Sequence, residues 1–222
     1  MLKHLEELIE QKAYAEFRKE VMELNEADVA SVVTELEKAD QLKIFRILPK
    51  SIAADVFSYL PIETQQDILV SLTDKEASGI IENLYADDAA DLLEEMPANV
   101  VHRLLALTSP ETRRDINNLL QYPDDSAGSI MTVECIDLKE ETTVAQAIEK
   151  IRTNGIDKET INNCFVLDRA RHLIGIVTLR KLLLSNPEDL VQDVMTDNVI
   201  SVKTLTDQEE VAQMLSKYNF LA

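Results

Sequence analysis

Apolar residues return every twelve positions through the first half of the chain, at Leu24, Leu36, Leu48, Leu60, Leu72, Leu84 and Met96, and again at Leu120 after Thr108 breaks the series. Framed on this period, the blocks run Asn25 to Leu36, Glu37 to Leu48, Pro49 to Leu60, Pro61 to Leu72, Thr73 to Leu84, Tyr85 to Met96, Pro97 to Thr108 and Ser109 to Leu120. Position eight is apolar in every block: Val32, Ile44, Val56, Ile68, Ile80, Leu92, Leu104 and Ile116. Position nine is apolar in all but the last, where Asn117 stands. Apolar residues at positions eight, nine and twelve follow the i, i+1, i+4 spacing of one helical stripe, so each block predicts one short helix. A helix this short cannot bury its stripe alone. Successive helices must therefore stack as antiparallel pairs into a solenoid with a continuous core and a pair repeat of two blocks.

The punctuation agrees with that frame. Pro49, Pro61 and Pro97 open blocks, where the missing N–H costs little and the fixed φ suits a first helical turn, while Thr73 and Ser109 can cap. The segment Met1 to Leu24, with Leu2, Leu5, Leu8, Ile9, Phe17 and Val21, reads as the capping helix or helices of the stack.

Near Tyr122-Pro123-Asp124-Asp125-Ser126-Ala127-Gly128 the twelve-residue frame stops. Beyond it Cys135 to Leu138 reads as a strand, Thr143 to Arg152 as a helix, Asn163 to Leu167 and Leu173 to Thr178 as strands joined by a turn, and Leu179 to Ser185 as a helix. This is a β-α-β-β-α unit. A second copy begins, since Ile130-Met131-Thr132 recurs as Val194-Met195-Thr196, Cys135 to Leu138 as Val199 to Val202, and Val144-Ala145-Gln146 as Val211-Ala212-Gln213; it ends before its second strand.

With 22 Lys+Arg against 41 Asp+Glu the formal net charge is -19, which disfavours nucleic acid or an anionic membrane surface as partners and favours cations. Such an excess of like charge also opposes compaction, so a counterion bound at carboxylates should favour a more closed form. Plain solubility is the simpler account of acidity taken alone. Cys135 and Cys164 do not form a CxxC pair and lie in apolar stretches, which reads as two small buried hydrophobes in a reducing compartment. The N-terminus has no long apolar core followed by a cleavage site, and no window approaches eighteen uncharged apolar residues, so the chain is expected to face the cytosol. His4, His102 and His172 are isolated, and no HExxH, GxSxG or phosphate-cradling glycine motif occurs, which predicts that the chain is not an enzyme. His102 reads as a partly buried structural histidine and His172 as an exposed turn residue.

The two Met-Thr starts, the Gly175-Ile176-Val177-Thr178 corner between strand and helix, and this unit order resemble tandem CBS (cystathionine-beta-synthase) domains. Taken with the solenoid, with Tyr85-Ala86-Asp87-Asp88-Ala89-Ala90-Asp91, with the linker from Tyr122 to Thr132 and with Thr206-Asp207-Gln208-Glu209-Glu210-Val211-Ala212, the chain resembles the cytosolic part of MgtE-type magnesium transporters. The expected architecture is thus multidomain, α and α+β: a right-handed or similar superhelix of twelve-residue helical repeats over residues 1–128, a first CBS domain over 129–190 and an incomplete second one over 191–222. The family continues into a completed second CBS domain, a connecting helix and a transmembrane pore.

That resemblance implies Mg2+ as the ligand. It carries over acidic residues of one solenoid helix, Asp87 and Asp91, together with the backbone carbonyl of Gly128, and in the second CBS unit Asp207, Glu209, Ser216 and Asn219. Asn219 stands where the family pattern has an aspartate, and Ser216 could contribute only its carbonyl or hydroxyl, so that site should bind more weakly. From the residues alone, Asp87 and Asp91 are an acidic pair four apart on one helix face, and Asp207 is a helix cap followed by first-turn acids. Magnesium keeps several waters and needs only one or two carboxylates, so sparse pairs suffice.

The function implied is a magnesium-sensing regulatory region on the cytoplasmic side of the cell membrane. In that reading Mg2+ between the acidic solenoid and the CBS domains holds a compact, closed homodimer, paired through its CBS domains, against the pore of the same parent protein. The alternatives are an acidic protein-interaction scaffold and an adenine-nucleotide sensor. The second is weakened because Thr178 is followed at Lys181 by lysine where the ribose-holding pattern of CBS pairs has aspartate.

Overall fold

The computed structural model describes residues 2–220. Met1, Leu221 and Ala222, which the expected domain limits include, lie outside the described residues. The chain divides into two compact units, Met1–Leu120 and Gln121–Ala222. Residues 121–128, grouped with the solenoid by the sequence, belong to the second unit.

The first unit is all helix: α1 (Leu2–Glu10), α2 (Tyr14–Val21), α3 (Glu26–Glu35), α4 (Lys38–Ile47), α5 (Lys50–Ser58), α6 (Ile62–Ser71), α7 (Asp74–Ile81), α8 (Ala86–Glu94), α9 (Ala98–Leu105) and α10 (Pro110–Leu119). From α3 onward each helix occupies one block of the repeat. Helices two places apart pack together, α3 on α5, α4 on α6, α5 on α7, α6 on α8, α7 on α9 and α8 on α10. The solenoid is therefore a two-layer stack that repeats by helix pairs. Every position-eight residue is buried, as are the apolar residues of position nine. Each such side chain contributes roughly 1.5–3 kcal/mol of transfer free energy, an upper figure against a fully extended reference chain. Phe45 and Phe57 meet edge to face, with ring centroids 5.8 Å apart and planes at 89°.

The helix starts follow the sequence with one shift. Pro49, Pro61 and Pro97 sit at the N-cap and not in the first turn, with extended backbone at ψ 144°, 141° and 135°. There the carbonyl of each proline still accepts a first intrahelical bond, from Ala53, Gln65 and Val101. Thr73 forms a full capping box with Glu76, and Asn25 and Ser109 accept from Ala27 and Thr112.

The second unit holds β1 (Ile136–Lys139), α11 (Val144–Asn154), a 3-10 turn (Gly155–Asp157), β2 (Asn163–Leu167), β3 (Leu173–Thr178), α12 (Leu179–Leu184), α13 (Val191–Val194) and α14 (Gln208–Tyr218). The sheet order is β1-β2-β3. β1 and β2 run parallel with Ile136 opposite Cys164, as a helical crossover requires, and β2 and β3 form an antiparallel hairpin. Alternate residues of the strands, Ile136, Leu138, Cys164, Val166 and Val177, join Val144, Ala147, Ile151, Leu182 and Val191 in one core. Cys164 is buried as expected, whereas Cys135 is only half-buried.

The second copy departs from expectation. Val199–Val202 forms no strand; just before it Thr196 bridges the sheet, exchanging both backbone bonds with Ile176. A strand needs a hydrogen-bonded neighbour, and in the first copy β1 finds it in the strand that follows the crossover helix. After α14 the described residues offer no counterpart, so Val202 and Leu205 stay exposed and α14 buries no residue completely.

Candidate functional site

α8 carries the first acidic pair. Asp87 lies in its first turn, where the helix dipole favours a carboxylate. It is half-buried, with Oδ1 out of contact with solvent. Asp91, one turn on, is exposed at the residue level, yet desolvation by its surroundings holds its carboxyl above the usual aspartate value. A carboxylate at a position that disfavours its own charge, beside a second one on the same face, gains from an added cation. The pair fits a hydrated divalent ion on that ground.

Gly128 lies in a buried corner of the second unit, covered by the Tyr122 ring. A methyl group in place of its hydrogen would meet ring carbons at 2.4, 2.5 and 2.8 Å, so the close approach demands glycine. Its N–H donates to the Thr204 carbonyl at 2.7 Å, and the neighbouring Ala127 N–H donates to Thr206 at 2.7 Å. Those bonds place Gly128 a few residues in space from Asp207, which bridges Ser126. The structure thus joins two of the expected ligand positions in one unit, Gly128 and Asp207, although they stand far apart in sequence.

Asp207 is the N-cap of α14, with Oδ1 accepting from the Glu209 N–H at 2.8 Å. Glu209 and Glu210 occupy the first turn, and all three side chains are exposed. Capping consumes one carboxylate oxygen and leaves the other for a ligand, so both readings of Asp207 stand together. Ser216 and Asn219 lie at the opposite end of the helix, where Asn219 closes it in the left-handed conformation at φ 54°. Asp207 and Asn219 flank the eleven residues of α14 and so lie about 18 Å apart along its axis. Asp207 and Asn219 are therefore too far apart to hold one ion. Among the described residues no three His, Cys, Asp or Glu side chains cluster closely enough to form an all-protein metal cage.

Two features escaped the sequence. Gln208 grips the linker, donating its N–H to the Asp125 carbonyl at 2.8 Å and its side-chain Nε2 to Asp125 Oδ1 at 2.6 Å. Asp125 takes the left-handed conformation at φ 59°, which aspartate tolerates, and nothing in the sequence names its partner 83 positions away. The other is an open cavity of about 890 Å³ at the C-terminal end of β3, lined by Thr132, Asn162, Thr178, Arg180, Leu183 and Phe220. Thr178 caps α12 there, accepting from the Lys181 N–H at 3.1 Å. His102 is exposed and not partly buried, and His172 is exposed in its turn, bonded to Asp168. No helix among the described residues is long and apolar enough to cross a membrane.

Residues 24–125 match the family model of the MgtE intracellular N domain, and residues 127–186 match that of the CBS domain. The magnesium transporter MgtE of Thermus thermophilus is 37% identical over 118 residues, which is 53% of this chain and 26% of that protein; the chain spans about a quarter of that relative's length. Two solved structures align over 99% of the chain. One, the soluble part of a magnesium transporter, has a TM-score of 0.93 at 30% identity with 87% of its length covered. The other, the cytosolic domain of the Mg2+ channel MgtE in complex with ATP, has a TM-score of 0.92 at 33% identity with 90% covered.

Proposed function

The chain belongs to the MgtE family, carrying its intracellular N domain followed by CBS sequence, and from this premise we propose that it is the magnesium-sensing regulatory region of a magnesium transporter, on the cytoplasmic side of the membrane. The observation that carries the reading is the alignment of nearly the whole chain with the soluble part of a magnesium transporter. The acidity of the chain supplies the physics. A formal charge of -19 resists compaction, and divalent ions at Asp87, Asp91 and Asp207 lower that resistance. Mg2+ then favours whichever state binds it more tightly, and a compact state with paired carboxylates does so. The compact state, a dimer paired through the CBS units, would keep the attached pore closed; falling magnesium would release it. Ser216 and Asn219, at the far end of α14, would form a separate and weaker site.

Small-angle scattering of the chain across a magnesium titration, against sodium chloride at matched ionic strength, tests the proposal. Compaction specific to magnesium and reduced by Asp87→Asn with Asp91→Asn is expected. Identical profiles in the two salts would refute it and leave an acidic interaction scaffold.

A second reading rests on a separate observation. The relative solved with ATP and the 890 Å³ cavity beside Thr178 favour an adenine nucleotide as a further ligand of the CBS unit. Asn162, Arg180 and Phe220 offer it amide, cationic and aromatic contacts. ATP titration followed by calorimetry, repeated with Arg180→Ala, decides it: unchanged heats in the variant would argue against this cavity.

A further inference from the structure

The segment Ser126-Ala127-Gly128 reads in sequence as a small-residue linker, and such connections ordinarily run over the surface. Here all three residues are buried. A buried loop must satisfy its backbone groups: Ser126 does so within the loop, donating to Pro123 and accepting from Ser129, and the rest is met on the stretch from Thr204 to Gln208. Ala127 and Gly128 donate to the carbonyls of Thr206 and Thr204, both at 2.7 Å, and Gln208 returns two bonds to Asp125; the Ala127 and Gln208 backbone bonds together set Ser126 opposite Asp207 in one antiparallel bridge. The Tyr122 ring closes over Gly128 from the other side. The partner stretch has little else to hold it. Thr204 and Leu205 are exposed, α14 buries no residue completely, and Val199–Val202 has no ladder.

We infer that Asp125–Gly128 is a conformational clip: it fixes the start of α14, and through it the Asp207 cap, so that the linker leaving the helical unit and the entry of the second CBS copy order and loosen together. The clip does not depend on the cation reading, because it consists of contacts within the second unit alone. By reciprocity, anything that orders the Thr204–Gln208 stretch tightens the linker by the same free energy as the linker confers on that stretch.

The clip is tested by disturbing it on one side and reading the other. In the full chain, Gly128→Ala drives a methyl group into the Tyr122 ring and should open the linker. Amide hydrogen exchange at Glu209, bonded to the Asp207 side chain, and at Val211, bonded to the Asp207 carbonyl, should then accelerate by about tenfold. The amides of β2 and β3 should keep their protection, which establishes that the sheet is still folded. A second variant, Gln208→Ala, reads in the opposite direction, with faster exchange expected at Ala127 and Gly128. Parental exchange at Glu209 and Val211 in Gly128→Ala, or at Ala127 and Gly128 in Gln208→Ala, would overturn the inference.

Discussion

The solenoid has a buried polar device that repeats by helix pairs, and its removal has a calculable cost. Gln41 and Gln65 are the fifth residues of their blocks, two blocks apart, and both are buried. Each reaches back to the end of the preceding helix. Gln41 Nε2 donates to the carbonyls of Val33 and Leu36, both at 3.1 Å, and Gln65 Nε2 donates to that of Phe57 at 2.8 Å. Leucine in either place keeps the side-chain volume and deletes the donor. A buried carbonyl that loses a partner costs about 1 kcal/mol net, more if nothing replaces it. Val33 and Phe57 also receive backbone bonds, from Leu36 and Leu60, so their losses are the milder ones. Gln41→Leu, with two bonds lost, should therefore destabilise the helical unit by about 2 kcal/mol, and Gln65→Leu, with one, by about 1 kcal/mol. In a unit of this size that corresponds to roughly 8 °C and 4 °C in Tm. Urea and thermal melts followed by far-UV ellipticity read the effect, since most of the helix lies in the first unit. Parental stability in both variants, or a larger loss at Gln65 than at Gln41, would refute the reasoning.

Two further outcomes follow from charge and burial. Burial pushes the Glu82 carboxyl up, but bonds from the Ser109 N–H and the Thr112 hydroxyl, with the Ser109 side chain beside them, outweigh it, so the net pKa lies below the ordinary 4.5. A depressed folded pKa gives stability that is present above 4.5 and lost as pH falls through the folded value. Glu82→Gln should accordingly lower Tm at pH 7 and converge with the parent in acid, whereas a constant gap down to pH 3 would show that the carboxylate's charge contributes nothing. Burial also pushes the Cys164 thiol up to about 11, and that of Cys135 upward as well. Cys164 should thus resist a thiol reagent at pH 8 until urea unfolds the chain; native reaction at the rate of a free thiol would contradict its placement.

The helical half was legible because a single period controls both local conformation and burial: Val32, Ile44 and Val56 are core residues for the reason that they are helical neighbours. In the first β-α-β-β-α unit, short β-rich apolar runs located β2 and β3 residue for residue and β1 one position early. Long-range pairing was not legible. The bonds between Asp125 and Gln208, or between Gly128 and Thr204, join residues whose types say nothing of one another. Val199–Val202 shows the same limit from the other side, since strand-forming residues without a neighbour do not make a strand. Of the ligands that the resemblance implied, Asp87 and Asp91 were set on one helix face by spacing alone, while the nearness of Gly128 to Asp207, and the distance of Asn219 from it, needed the structure.

The stacking of each helix on the one two places before it means that the solenoid can change length in only one increment. Adding or removing a single block would move every later helix into the opposite layer. A block inserted between α3 and α5, or between α8 and α10, would part that packed pair. Adding or removing two blocks leaves every remaining contact in register. Lineages built on this architecture should vary by helix pairs, and a loop insertion should be tolerated more readily than one extra helix.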